Sequence, residues 1–320
     1  MEHKTTLGRS DLHVPRLGVG AMTWGDPKGL ARLHPAKTAY GGSHGIEEEK
    51  RALEVSIAAG ANLFDTAAMY SGGASELRVG ELARGKDVLI ATKFPGGFSF
   101  RVEDFPKELE ASLTRLGREC IDLYQHHFPN ARLSIPKLMN LVADAVDAGK
   151  VKAVGVSNYS AEQMREAHAA LAKRGIPLAS NQVEYSLLHR KPEVDGVLDG
   201  CRELGMTLIA YSPLAGGMLT GKYSAQNRAG GFFRRILPQY NRKALDAIQP
   251  VTKLLREIGD RYSKSPSQVA LRWLIENPIV LPIPGAKNSQ QATANAGALS
   301  FSLTPEEVKI LDDATLAWRK

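Results

Sequence analysis

Short apolar runs and longer segments of helical spacing alternate along the chain. The apolar runs are RLGVGAM (16–22), ANLFD (61–65), DVLIATK (87–93), IDLYQHH (121–127), VKAVGVS (151–157), PLASNQVEY (177–185), MTLIAYSPL (206–214) and IVLPIPG (279–285). Each is short and rich in β-branched or aromatic residues, as buried strands are. Between them lie segments with apolar residues at intervals of three and four: 46–60, 74–84, 102–117, 135–150, 160–175, 192–204, 244–262 and 288–298. Gly60 closes the first of these as a C-cap. The pattern predicts eight strands and eight helices in strict alternation. Extra helices are predicted at 268–276 and 305–317, and a β-hairpin around Gly8-Arg9-Ser10 over 5–15. The stretch 25–45 reads as a long loop, and loops of that length inside compact domains are usually functional or mobile.

Regular strand–helix alternation without a break in composition predicts one domain over 1–320 with a parallel sheet. Eight such units suit a closed (β/α)8 TIM barrel, whose active site lies at the C-terminal ends of its strands. An open doubly wound sheet is the other reading. It usually carries G-x-G-x-x-G after the first strand. Here the turn is Gly18, Val19, Gly20, Ala21, Met22, Thr23, and that fingerprint is absent.

Composition adds little to this picture. The net charge of +7 (41 Lys and Arg against 34 Asp and Glu) favours an anionic ligand but does not imply nucleic acid. Cys120 and Cys201 are the only cysteines, so a reducing compartment and a cytoplasmic protein are expected. The sequence has no signal-peptide core and no run of 18 apolar residues, and no membrane association is expected.

The chemistry gathers just past three successive strands. Asp65 follows the second run with Tyr70 five residues on, Lys93 follows the third, and His127 follows the fourth. If those strands are parallel neighbours, the four side chains share one rim. A phenol has a reference pKa near ~10, and an adjacent ammonium is expected to lower it. A carboxylate keeps that ammonium charged and oriented, and an imidazole hydrogen-bonds the substrate carbonyl or shuttles the proton. Together they make a proton donor for a carbonyl oxygen. The residues alone suit equally a buried Asp65–Lys93 ion pair with an unrelated tyrosine.

At these positions the chain resembles the aldo-keto reductases from end to end. The likeness runs through LGVGAMTWG, LFDTAAMYSGGASE, ATKF, IDLYQHHFP, KAVGVSN, NQVEYSLL, YSPLAGGMLTGKY and IPGAKNSQQATANAGAL, in that order. Residues 153–303 are most similar to the pyridoxal reductase-like branch. The resemblance implies a (β/α)8 barrel that reduces carbonyls with NADPH. Its catalytic tetrad falls on Asp65, Tyr70, Lys93 and His127, with Tyr70 as general acid. His127 rather than His126 takes the histidine's place, because Phe128 and Pro129 follow it as the family pattern requires.

The resemblance also implies the cofactor contacts. Ser157, Asn158 and Gln182 would meet the nicotinamide carboxamide, and Tyr211 would stack on the ring. The loop Ser212, Pro213, Leu214 to Gly217 and Lys222 would wrap the pyrophosphate. Gly285, Lys287, Gln291 and Asn295 would hold the adenosine end. Gln291 stands where many relatives carry an arginine for the 2′-phosphate, so Lys287 and Arg234 are expected to supply that charge, and NADH is the lesser alternative. Trp24, Tyr70, Phe94, Phe98, His127, Phe128 and parts of 223–240 are expected to line the substrate pocket.

The expected partner is therefore a small carbonyl compound bound by a monomer or small homo-oligomer. His126 and His127 lack further ligands at tetrahedral spacing, so no metal is expected. The aromatic and basic stretch FFRRILPQYNRK is assigned to the dinucleotide rather than to nucleic acid. A rival reading is a slow-turnover nucleotide-binding subunit that senses redox state, since such relatives keep the tetrad.

Overall fold

The computed structural model describes residues 4–27, 43–96, 100–130, 132–224, 226–227 and 240–320. A hairpin comes first, β1 (Lys4–Thr6) against β2 (His13–Pro15), antiparallel. Eight parallel strands follow in chain order: β3 (Val19–Gly20), β4 (Leu63–Asp65), β5 (Leu89–Phe94), β6 (Ile121–His126), β7 (Val151–Ser157), β8 (Leu178–Glu184), β9 (Thr207–Tyr211) and β10 (Val280–Pro282). The sheet closes on itself. Gly20 bridges Gly285, and the Gly18 and Gly20 N–H groups donate to the Pro282 and Pro284 carbonyls, each at 3.0 Å. Closure leaves no edge strand to protect, and the architecture is a (β/α)8 barrel.

Period-two alternation decides what each strand presents. Leu63, Ala91, Leu123, Ile209 and Leu281 fill the interior, with Leu7 and Val14 of the hairpin packed into the same cluster. The opposite phase, including Ile90, Tyr124 and Val154, packs outward into the main core beneath the helices. Each buried Leu, Ile or Val among them contributes roughly 1.5–3 kcal/mol.

The helices are α1 (Ile46–Ala58), α2 (Ala74–Leu82), α3 (Phe105–Leu116), α4 (Ile135–Asp147), α5 (Ala161–Ala172), α6 (Val197–Leu204), α7 (Arg242–Tyr262), α8 (Pro266–Glu276), α9 (Ser289–Ala296) and α10 (Pro305–Ala314). Several begin where the sequence carries a start signal. Ser160 with Gln163, Ser265 with Gln268 and Thr304 with Glu307 form capping boxes that satisfy otherwise unpaired N–H groups.

Four expected helices differ in part: 102–117 opens with a 3-10 turn, Val102–Asp104, and 288–298 closes with one, Gly297–Leu299. The segment 192–204 is divided into a 3-10 turn, Lys191–Glu193, and α6, because Gly196 turns left-handed at φ 83°. The segment 305–317 ends its α-helix at Ala314 and continues as a 3-10 turn, Leu316–Trp318. Among the described residues no helix is long and apolar enough to cross a membrane.

Candidate active site

Asp65 is the last residue of β4, and Lys93 is the penultimate residue of β5 on the interior phase. After Asp65 the chain keeps to the rim of β5. The Thr66 N–H donates to the Ala91 carbonyl at 2.8 Å, and the Ala68 N–H to the Lys93 carbonyl at 3.0 Å. The chain then turns sharply over Tyr70–Gly73, with Ser71 left-handed at φ 54°. That detour brings Tyr70 back over Lys93. His127 follows β6 and is fixed by its N–H, which donates to the Phe94 carbonyl at 3.2 Å.

The Lys93 ammonium is fully buried and uses all three of its donors. It donates to Asp65 Oδ1 at 2.6 Å, to the Thr66 carbonyl at 2.9 Å and to the Tyr70 hydroxyl at 3.4 Å. An ammonium has three N–H bonds and no acceptor. The Tyr70 oxygen therefore accepts a hydrogen bond from Lys93, and its own O–H is left to point elsewhere. The His127 ring stands edge-on to Tyr70 with centroids 5.6 Å apart. Phe128 stacks on His127 at 4.3 Å, nearly parallel, and is 40% exposed at the mouth. His126 points to the other side of the strand. It stacks on Phe94 and shares a 2.8 Å hydrogen bond with the Tyr159 hydroxyl.

The electrostatics correct one expectation. Burial pushes the Tyr70 phenol above its ordinary value, and the nearby Lys93 charge offsets only part of that. The expected net lowering is absent because the desolvation that accompanies this packing disfavours phenolate more than one ammonium favours it. Lys93 is pulled down by burial, but Asp65 and Tyr70 outweigh this and raise it, so it stays charged. Burial, and then the Lys93 charge, lower His127 to about 3, so its imidazole is neutral near pH 7.

Beside these groups, the Ser157 hydroxyl donates to the Gln182 carbonyl at 2.8 Å. The Asn158 amide donates to the Ser157 hydroxyl and the His127 carbonyl, and accepts from the Tyr211 hydroxyl at 3.1 Å. Tyr211, at the end of β9, is thus tied through Asn158 to the His127 backbone carbonyl. Asn158, Ser212 and Ala215 are non-glycine residues with positive φ, and Gly216 and Gly217 share it. Such strain concentrates at binding sites. Buried Pro213 and half-buried Leu214 continue that loop, and Lys222 is exposed just beyond it.

On the closing side of the barrel, a Cβ at exposed Gly285 would meet only the Gly20 carbonyl, so the backbone there is open to a ligand. The Gln291 side-chain carbonyl accepts the Lys287 N–H at 3.0 Å at the start of α9. Buried Asn295 gives its amide to the Gly285 carbonyl at 3.1 Å. The donor set fits a nicotinamide dinucleotide: amides and hydroxyls for a carboxamide, an aromatic face for a ring, a strained small-residue loop, and lysines for phosphates.

Two expected pocket residues lie elsewhere. Trp24 is fully buried in the outer core, and its indole N–H donates to the Ala286 carbonyl at 2.7 Å. Phe94 alternates outward from Lys93 and packs among Phe100, Phe105, Tyr124 and His126. Phe94 sits on the outward phase of β5, away from the mouth, and Trp24 has no exposed surface to offer there. Phe98 and Arg234 lie outside the described residues. Of 223–240, Tyr240 lines a cavity of about 330 Å³ together with Glu184, His189, Ser212 and Trp318.

Sequence reasoning missed Gln125. Its side chain lies fully buried inside the barrel, and its amide donates to Asp65 Oδ2 at 3.3 Å. The signal was present: in IDLYQHH it occupies the same phase as interior Leu123, where an uncharged polar residue needs a partner.

Residues 16–315 match the model of the Aldo/keto reductase family. The chloroplastic pyridoxal reductase of Arabidopsis thaliana is 35% identical over 320 residues, covering 92% of this chain and 82% of that protein. Aldo-keto reductase yakc [NADP(+)] of Schizosaccharomyces pombe is 33% identical over 320 residues, covering 94% and 88%. The glycerol dehydrogenase AKR11B4 from Gluconobacter oxydans superposes with a TM-score of 0.83 at 26% identity, covering 99% of this chain and 96% of that one.

Proposed function

The chain belongs to the aldo/keto reductase family, and we propose that it reduces an aldehyde or ketone to the alcohol with NADPH as hydride source and Tyr70 as proton donor. One observation carries this reading: Lys93, paired to Asp65, donates to the Tyr70 oxygen and leaves the phenolic proton available. When bound, the cofactor supplies hydride to the carbonyl carbon. Everything else falls to side chains of this chain.

Burial keeps Tyr70 protonated until charge develops on the substrate oxygen. As the proton leaves, the phenolate left behind already accepts from Lys93. That hydrogen bond strengthens as negative charge grows, so it favours the transition state over the ground state. Neutral His127 stands against the Tyr70 ring without a competing charge. Asp65 holds Lys93 in place.

Ser157, Asn158 and Gln182 would hold the carboxamide, and Tyr211 the nicotinamide ring. The loop through Ser212, Pro213, Leu214 and Gly217, with Lys222, would hold the pyrophosphate. Gly285, Lys287, Gln291 and Asn295 would hold the adenosine end, and Lys287 and Arg234 the 2′-phosphate. The name of the yeast relative supports NADPH over NADH. Pyridoxal is the first substrate to try, because a relative of that name is 35% identical and Phe128 offers a flat exposed face beside His127. We place the protein in the cytoplasm, as one barrel domain.

The test is consumption of NADPH with a panel of aldehydes that includes pyridoxal. Fast multiple turnover is expected. Tyr70→Phe is expected to lower kcat by about 10²–10⁴-fold with NADPH affinity essentially unchanged. A Tyr70→Phe variant at wild-type rate would remove the proton-donor role. Cofactor binding with no turnover on any carbonyl would favour the sensing subunit instead.

A further inference from the structure

We propose that Gln125 is a positioning residue of this reaction: it holds one oxygen of Asp65 so that the other stays on Lys93. The proposal rests on the carbonyl-reducing reading above and adds a residue to it.

Each oxygen of the Asp65 carboxylate has its own donors. Oδ1 accepts from Lys93 at 2.6 Å. Oδ2 accepts from two side-chain amides, Gln182 at 2.8 Å and Gln125 at 3.3 Å. The Gln182 amide also reaches the Gln125 carbonyl at 3.3 Å, so the two amides brace each other. A carboxylate gripped on one oxygen only can rotate about its Cβ–Cγ bond and swing the other away from Lys93. Gripped on both, it is fixed, and with it the ammonium that meets Tyr70.

The barrel makes room for this arrangement. Gln125 is the register partner of Lys93 on one side and of Gly155 on the other. A Cβ at position 155 would stand 2.9 Å from Gln125 Cγ and 2.6 Å from Ser180 Oγ, closer than packed atoms come. The neighbouring strand gives up its side chain where the Gln125 side chain passes.

Gln125 also has a role that Gln182 cannot fill alone. In the reading above, Gln182 turns an amide to the nicotinamide carboxamide. Once it does so, Gln125 is the donor that keeps Asp65 Oδ2 in place. Neither Gln125 nor Asp65 needs to touch the substrate for this to matter, because a small misplacement of Lys93 changes the hydroxyl that does.

The test compares Gln125→Met and Gln125→Glu with the wild type, each checked for unchanged melting temperature. Gln125→Met keeps the length of the side chain and removes the donor. Its kcat is expected to fall on the order of tenfold to a hundredfold with the KM for aldehyde little changed. Gln125→Glu faces Asp65 with a second carboxyl, whose proton the neighbouring charge holds to higher pH than an ordinary carboxyl does. As pH falls the introduced carboxyl takes a proton and presents an O–H donor to Asp65. Its kcat is therefore expected to rise toward acid pH, where the wild type is flat. A merely structural role would not produce that profile. Wild-type kcat in Gln125→Met, or an acid-independent Gln125→Glu, overturns the positioning role while the reaction itself stands. A wild-type protein that reduces no carbonyl overturns both.

Discussion

The Lys93 ammonium lies 3.4 Å from the Tyr70 hydroxyl and 4.9 Å from the centre of the same ring. It can therefore donate to the oxygen and stabilise a phenolate once one forms. Burial acts in the opposite sense and dominates while the proton is on, holding the phenol above its ordinary value. The pair gives a donor that keeps its proton at neutral pH and releases it only when the substrate oxygen demands it.

The pH dependence of reduction follows. Tyr70 must be protonated to act, and its value is raised above ~10, so the acid form persists through pH 9. His127, lowered to about 3, does not change charge between pH 5 and 9. The expected kcat for reduction is flat from pH 5 to 9 and falls only in stronger alkali. A kcat profile with a break near the ordinary histidine value would mean that His127 titrates in the working range.

The buried Asp65–Lys93 pair also bears on stability. Lys93→Met leaves a buried carboxylate without its counter-charge and is expected to cost about 3–5 kcal/mol in urea unfolding. Asp65→Leu combined with Lys93→Met removes both charges and is expected to be less destabilised than Lys93→Met alone. If the double variant were the less stable of the two, the coupling would be of another kind.

Phe94 is a residue of the outer core, stacked on His126 and close to Phe105 and Tyr124. Phe94→Ala is expected to cost about 3–5 kcal/mol of stability. The KM values for small and large aldehydes should move little relative to one another. A selective change in aldehyde preference without loss of stability would put the ring back in the pocket.

Lys287 precedes α9, on the side of the barrel where β10 meets β3. Losing a charge-assisted contact to a 2′-phosphate is worth roughly tenfold in affinity. Lys287→Ala should therefore raise the KM for NADPH by about that factor and leave the KM for NADH nearly unchanged. Equal effects on the two cofactors would remove the assignment.

Much of this was legible in the chain. The eight apolar runs, the hairpin and the capping boxes rest on periodicities and spacings of a few residues. Asp65, Lys93 and His127 announced themselves as polar residues at the ends of apolar runs. The break at Gly196 was legible in principle, since a glycine there permits the left-handed turn that divides the expected helix. The outward placement of Phe94 follows from counting alternate residues from Lys93. The resemblance places its ring in the pocket, and the alternation of the strand turns it outward.

By itself, then, the sequence determined the order of elements, the parallel closed sheet and which strand ends carry reactive groups, because backbone preferences and side-chain alternation act over a few residues. Only the tertiary structure decided the upward shift of Tyr70, the burial of Trp24 and the grip of Gln125 and Gln182 on Asp65. Those depend on desolvation and on contacts among residues far apart in the chain, 60 positions for Gln125 and 117 for Gln182. Local pattern does not encode such distances, and closing the barrel creates them.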